Sequence, residues 1–249
     1  MHPHNIFLTL TYNDEHLTSS KLVYEDFQKF MKKLRKLQDA PMGVFVTGEY
    51  GEKNKRPHWH AIIFNYAPKD GVLDQQSPQG DTYTSETINK IWGKGRANYG
   101  AVTFQSAGYC ARYAAKKLVH GKDGHDYEPI SKKSSKHAIG KRWLETFHAD
   151  VFNQGHIVLP DGQTCSIPRY YEKWFKEKQP ENWLSYVALV KLEKTSRAAA
   201  KAAAEIRDDY NANTKRRLIG IYTNQTTRAE ARAIIQKSKF KMLQDNLKL

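Results

Sequence analysis

Cysteine is nearly absent from this chain: Cys110 and Cys165 are the only two among 249 residues. That excludes a disulfide framework and a four-cysteine zinc site, and it suits a reducing compartment. No apolar run approaches the roughly 18 residues of a membrane span, and no charged-then-apolar leader is visible. A soluble protein with no membrane partner is expected. Acidic residues are also in deficit, with 26 Asp+Glu against 40 Lys+Arg, a net charge of +14 and a sequence pI of about 9.6. The excess is spread along the chain, +5 over residues 1–120 and +9 over residues 121–249. Such a balance fits a nucleic-acid partner, because lysines and arginines displace the counterions condensed on a polyanion. Hydrophobic residues make up 39% and mean hydropathy is −0.74, so the core is modest. No Walker motif and no internal repeat are found.

The pattern of apolar residues gives the organisation. Residues Asn5–Tyr12 alternate Ile6, Leu8 and Leu10 against Phe7, Thr9 and Thr11, as a half-buried strand does. Phe27, Phe30, Met31 and Leu34 fall on one face of a helix over Tyr24–Leu37. Met42–Glu49 and His58–Tyr66 read as a hairpin of strands joined through Gly51–Lys55, and Ala67–Thr82 as a loop rich in Pro, Gly, Asp and Gln. A short helix over Ser85–Trp92 is capped by Ser85. A strand over Ala101–Gln105 follows, then a helix capped by Ser106. The order β-α-β-β-α-β-α predicts an α+β fold, an antiparallel sheet with flanking helices, over residues 1–120. Residues 121–249 form a basic, mainly helical C-terminal region. It opens on a polar loop, Gly121–Gly140, and has helices at Lys141–Phe147, across Pro180–Arg217 and at Thr227–Leu243.

Two segments carry chemistry. In Arg56-Pro57-His58-Trp59-His60-Ala61-Ile62-Ile63-Phe64 the histidines stand two apart on a strand and so share a face, while Trp59, Ala61 and Ile63 anchor the other. Glu49 ends the preceding strand with the same parity and is the expected third ligand; Glu52, in the turn, is the alternative. Two imidazoles and a carboxylate with open positions suit a divalent ion such as Mg²⁺ or Mn²⁺. In Tyr109-Cys110-Ala111-Arg112-Tyr113-Ala114-Ala115-Lys116-Lys117 the two tyrosines lie one turn apart on a stripe with Lys116. Ala107, Cys110, Ala111, Ala114 and Leu118 form a separate, small apolar stripe that suits packing. Tyr109 has Arg112 three residues on, and Tyr113 has Lys116. Those cations favour a phenolate and stabilise charge growing on a phosphorane. Either segment alone arises by chance. Together, in this order, they point to tyrosine attack on a phosphodiester.

Phe7-Leu8-Thr9-Leu10-Thr11-Tyr12, Gly48-Glu49-Tyr50-Gly51-Glu52, Arg56–Phe64 and Tyr109–Lys117 resemble the successive motifs of the HUH endonucleases. The likeness is greatest to the rolling-circle replication initiators of gokushovirus-like microvirus phages. It covers residues 5–120 and continues weakly through Ile167-Pro168-Arg169-Tyr170-Tyr171. The resemblance implies a ferredoxin- or RRM-like βαββαβ core, with His58, His60 and Glu49 holding the metal and Tyr109 and Tyr113 as paired nucleophiles. It implies nicking of single-stranded DNA at an origin through a 5′-phosphotyrosine, and rejoining of the displaced strand. It also implies work with a host helicase and polymerase in the host bacterial cytoplasm. Members of the family carry a further segment ahead of the first strand, so a truncated or short form is implied. Two other readings stay open. One is an HUH-type transposase, which keeps this motif order with a single tyrosine. The other is a non-catalytic single-stranded nucleic-acid-binding protein with an aromatic sheet platform. Lys94 and Arg96 in the glycine loop Gly93–Arg96, Lys117, and Lys132 and Lys133 of a basic run are candidate DNA contacts. Tyr170, Tyr171 and Trp174 are expected to pack, and the alanine-rich stretch Ala198–Ala204 is explained by helix propensity.

Overall fold

A computed structural model gives the fold. It describes all residues except 1, 18, 20, 52–55, 79, 117–129, 135–137, 222–225 and 249, and leaves the side chains of 113–116, 240 and 243–248 undescribed. In chain order the first part holds β1 (Asn5–Thr11), α1 (Tyr24–Leu34, with a 3-10 turn Arg35–Leu37), β2 (Gly43–Tyr50), β3 (Pro57–Phe64), β4 (Gly71–Gln75), β5 (Thr82–Ser85), α2 (Glu86–Trp92), β6 (Ala97–Ala101), α3 (Phe104–Lys116) and β7 (Ile130–Lys133). The seven strands make one sheet, ordered β4-β5-β6-β1-β3-β2-β7, and every neighbouring pair is antiparallel. The α+β architecture read from the sequence is the one observed.

The sheet has two unlike faces because strand side chains alternate. Ile6, Leu8, Leu10, Val44, Val46, Trp59, Ala61, Ile63 and Ala97 bury one face under Phe27, Phe30, Met31 and Leu34 of α1 and Ile88 and Trp92 of α2. Trp59 is its centre. It is fully buried, lies 5.6 Å from Phe27, and donates its indole N–H to the Tyr12 hydroxyl at 3.0 Å. Trp59→Ala is expected to cost about 3–5 kcal/mol, the usual penalty for emptying so large a buried site; urea unfolding of the variant measures it.

Several boundaries differ from the sequence reading. Residues 67–82, expected as a loop, include strand β4 at the sheet edge. Its side chains are mostly exposed, so burial leaves no apolar pattern. The expected loop Gly121–Gly140 contains the opposite edge strand, β7, which pairs with β2. The first compact unit accordingly runs past residue 120, covering Met1–Ile139 with Lys241–Leu249. The strand expected at Ala101–Gln105 lies earlier, at Ala97–Ala101. Thr103, not Ser106, caps α3: Ser106 N–H donates to Thr103 Oγ1 at 3.1 Å and Thr103 N–H to Ser106 Oγ at 2.8 Å. This reciprocal pair ends the strand run that Val102-Thr103-Phe104 would otherwise extend.

The second unit, Gly140–Phe240, is mainly helical: α4 (Lys141–Gln154), a two-stranded ribbon of β8 (Ile157–Val158) and β9 (Thr164–Cys165), α5 (Arg169–Lys178), α6 (Pro180–Tyr186), a π turn (Val187–Lys191), α7 (Leu192–Leu218) and α8 (Arg228–Lys248). The helix expected at Lys141–Phe147 runs on to Gln154, where Gly155 takes the left-handed conformation that closes it. Leu144, Val151, Phe152, Phe175 and Tyr186 form the core, with Tyr171 and Trp174 packed against it as expected. Tyr170 is exposed. Thr227 and Glu230 cap α8 reciprocally. Among the described residues no helix is long and apolar enough to cross a membrane.

Candidate active site

The other face of the sheet carries the polar residues. In register, Glu49 of β2 pairs with His58 of β3, and Thr47 with His60; on the far side of β3, Thr9 of β1 pairs with His60. The two imidazoles are nearly parallel, centroids 6.5 Å apart. The Phe7 ring continues the series 5.7 Å from His60 at an interplanar angle of 7°. His60 is 7% exposed, and its Nε2 lies 2.7 Å from Glu49 Oε1. An ionised carboxylate only accepts, so in the neutral imidazole Nε2 carries the proton and Nδ1 accepts from the Thr9 hydroxyl at 3.0 Å. Thr9 therefore sets the orientation of a candidate ligand. Sequence reasoning put Thr9 on this face but gave it no role; the signal was its parity, usable only once the β1–β3 register is known.

His58 Nδ1 is buried and has no hydrogen-bond partner. Burial, more than the opposing Glu49 charge, holds its imidazole below the ordinary range and so neutral, the form that ligates metals. The donor set of two neutral imidazoles and a carboxylate on one face fits a divalent ion. His60 and Glu49 are turned onto each other, and among the described residues no three His, Cys, Asp or Glu side chains already converge on one point. Glu52, the alternative ligand, lies outside the described residues.

Helix α3 lies on this face, against β2, β3 and β7. Cys110 is its buried contact; burial pushes the thiol up to about 12, with a smaller opposing effect from Thr47. Of the other expected packing residues, Ala107 is half-buried and Ala111 exposed. Anchoring at Cys110 turns the preceding Tyr109 over the histidines. Its ring meets His60 edge-on at 5.2 Å, and its hydroxyl donates to Glu49 Oε1 at 3.5 Å. Tyr109 is 37% exposed, and Arg112 is exposed. Tyr113 and Lys116 are on α3, but their side chains are undescribed, and Lys117 lies outside the described residues.

The candidate DNA contacts are dispersed. Lys132 and Lys133 are exposed on β7. Lys94 pairs with Asp26 at 3.3 Å, and Arg96 pairs with Asp74, so both are engaged within the protein.

The family described as replication-associated protein ORF2 matches residues 5–118, the segment that builds most of the sheet and α3. Over 255 aligned residues the chain is 46% identical to "Replication-associated protein VP4" of Bdellovibrio phage phiMH2K, covering 98% of this chain and 80% of that one. The chain belongs to the family of phage replication-associated proteins. Two further replication-associated proteins are similar. ORF2 of Spiroplasma virus 4 is 33% identical, over 74% of this chain and 62% of its own length. ORF4 of Chlamydia phage 1 is 31% identical, over 73% and 48%. The chain thus spans most of the first relative and less than two thirds of the other two. No solved structure matches it.

If Glu49 is a ligand in this replication-associated protein, Glu49→Ala weakens divalent-ion affinity roughly 10–100-fold, the range for a disturbed coordination shell, and Glu52→Ala does less. Calorimetric titration with Mn²⁺ compares the two. A larger loss from Glu52→Ala would reassign the third ligand.

Proposed function

We propose that the chain is a replication initiator that nicks single-stranded DNA at a phage origin and remains joined to the 5′ end through a tyrosine. The observation that carries this reading is the reach of the Tyr109 hydroxyl to Glu49 Oε1, 3.5 Å away, while the same oxygen lies 2.7 Å from His60. A nucleophile and a metal-type donor set thus meet at one atom.

In this reading His58, His60 and Glu49 hold a divalent ion, Mg²⁺ or Mn²⁺, which when bound polarises the scissile phosphate and draws charge from it. The Tyr109 hydroxyl loses its proton, its oxygen bonds to phosphorus, and the bond from phosphorus to the 3′ oxygen breaks. The released 3′ oxygen takes up a proton and becomes the hydroxyl that a host polymerase extends. Arg112, three residues on, and Lys116 offer positive charge to the phosphorane. Tyr113, one turn along, attacks in a second round while Tyr109 holds DNA, so that the displaced strand is rejoined as a circle. Lys117, Lys132 and Lys133 contact the DNA backbone. The chain carries no Walker motif, so strand separation falls to a host helicase, in the host bacterial cytoplasm.

The test is incubation of the protein with single-stranded origin DNA, labelled at its 3′ end, and Mn²⁺, followed by denaturing electrophoresis. A labelled adduct that survives denaturant and disappears on protease treatment is expected. Binding without any adduct would favour a non-catalytic nucleic-acid-binding protein.

A further inference from the structure

Beside Tyr109 the candidate active face opens into a groove of about 570 Å³ that the chemistry above does not use. Its floor follows from strand register. Phe7 pairs with Gly100, and Thr9 with Asn98, so next to the Phe7 ring the sheet presents a position without a side chain. A Cβ at Gly100 would come within 3.0 Å of the Asp81 carbonyl oxygen, so any other residue crowds the space. Tyr109 and Arg112 line the same groove, making it continuous with the candidate active site.

The orientation of Asn98 is determined by its neighbours. Arg96 Nη2 lies 2.7 and 2.6 Å from the two Asp74 oxygens, which keeps Asp74 an anion that can only accept. Asn98 therefore turns its amide nitrogen to Asp74, at 3.3 Å. Its amide oxygen is directed the other way and, among the described residues, accepts no hydrogen bond. Asn98 lines the groove, whereas Asp74 does not.

We infer that this groove receives one unstacked base of the bound single strand, and that Asn98 Oδ1 accepts from that base's exocyclic amino group. A planar ring beside Phe7 suits base–aromatic stacking. Arg112 at the rim suits the attached phosphate. Adenine, cytosine and guanine carry an amino group, and thymine and uracil do not, so the groove disfavours the latter two. Arg96 and Asp74 act through Asn98 as positioning residues. The inference rests on the reading of the chain as a protein of single-stranded DNA, but it can be measured without any nicking.

The experiment compares binding of the full chain to twelve-residue oligo(dC) and oligo(dU) by fluorescence anisotropy, without divalent ions. The two strands have equal charge, and at ring position 4 one carries an amino group and the other an oxygen. Wild type is expected to prefer oligo(dC) about 10-fold, as one base contact discriminates. Asn98→Ala and Asp74→Ala should reduce that preference toward unity, and Gly100→Val should weaken both complexes. Asn98→Asp, which keeps an acceptor, should retain the preference and shows that the position tolerates change. Equal binding of the two strands by wild type, or an undiminished preference in Asn98→Ala, overturns the assignment. A preference without a covalent adduct would leave the groove standing and remove the nicking reaction. An adduct without a preference would do the reverse.

Discussion

Replacing Tyr109 and Tyr113 together with phenylalanine is expected to remove the covalent DNA adduct altogether and to slow nicking by more than about 10³-fold, since no nucleophile is left on the α3 stripe. The change deletes two hydroxyls and no carbon, so the edge-on contact of ring 109 with His60 survives and the fold is undisturbed. The single variants separate the two roles. Tyr109 has its hydroxyl at Glu49, so Tyr109→Phe should impair the first cleavage more than Tyr113→Phe does. Either single variant should fail to release a circular product, because rejoining needs a free tyrosine while its partner holds DNA. Peptide mapping of the adduct reads the outcome directly; an adduct on Tyr170 or Tyr171, or one formed by the double variant, would displace the assignment.

The second large effect concerns the imidazoles. The double variant His58→Ala, His60→Ala should lose Mn²⁺ binding in calorimetry and lose nicking by a comparable factor. Circular dichroism should stay near that of the wild type, because Trp59, Ala61 and Ile63, which anchor β3, are buried on the opposite face. Undiminished nicking by this variant in the presence of a chelator would exclude the metal role.

How much of this was legible in the sequence depended on burial. β1 and α1 were readable because their apolar residues recur with periods of two and about 3.6 against a single core. The edge strands β4 and β7 were not, since neither is packed deeply enough to need an apolar side, and edge positions tolerate loop-like composition. The helix start was misplaced because Thr103 and Ser106 are equally good caps, and only the reciprocal bonds decide between them. At the site, the shared face of His58, His60 and Glu49 follows from parity and hairpin register. The parts that were missed, Thr9 against His60 and the Phe7–Gly100 gap, lie across β1. Its two neighbours β3 and β6 are distant in sequence, and no local pattern reveals which residues come to face each other there. Lys94 and Arg96 were singled out by charge, but charge alone does not reveal the carboxylates of Asp26 and Asp74 that take them up.

The two-faced sheet has a consequence for how such a protein can diversify. Along β1 the residues that hold the molecule together, Ile6, Leu8 and Leu10, alternate with those that meet the DNA in our reading, Phe7 and Thr9. Each strand is thus two interleaved messages, one written in odd positions and one in even. A lineage can rewrite the exposed message, and with it the origin it answers to, while leaving the hidden one untouched, so a change of template need not pass through an unfolded ancestor.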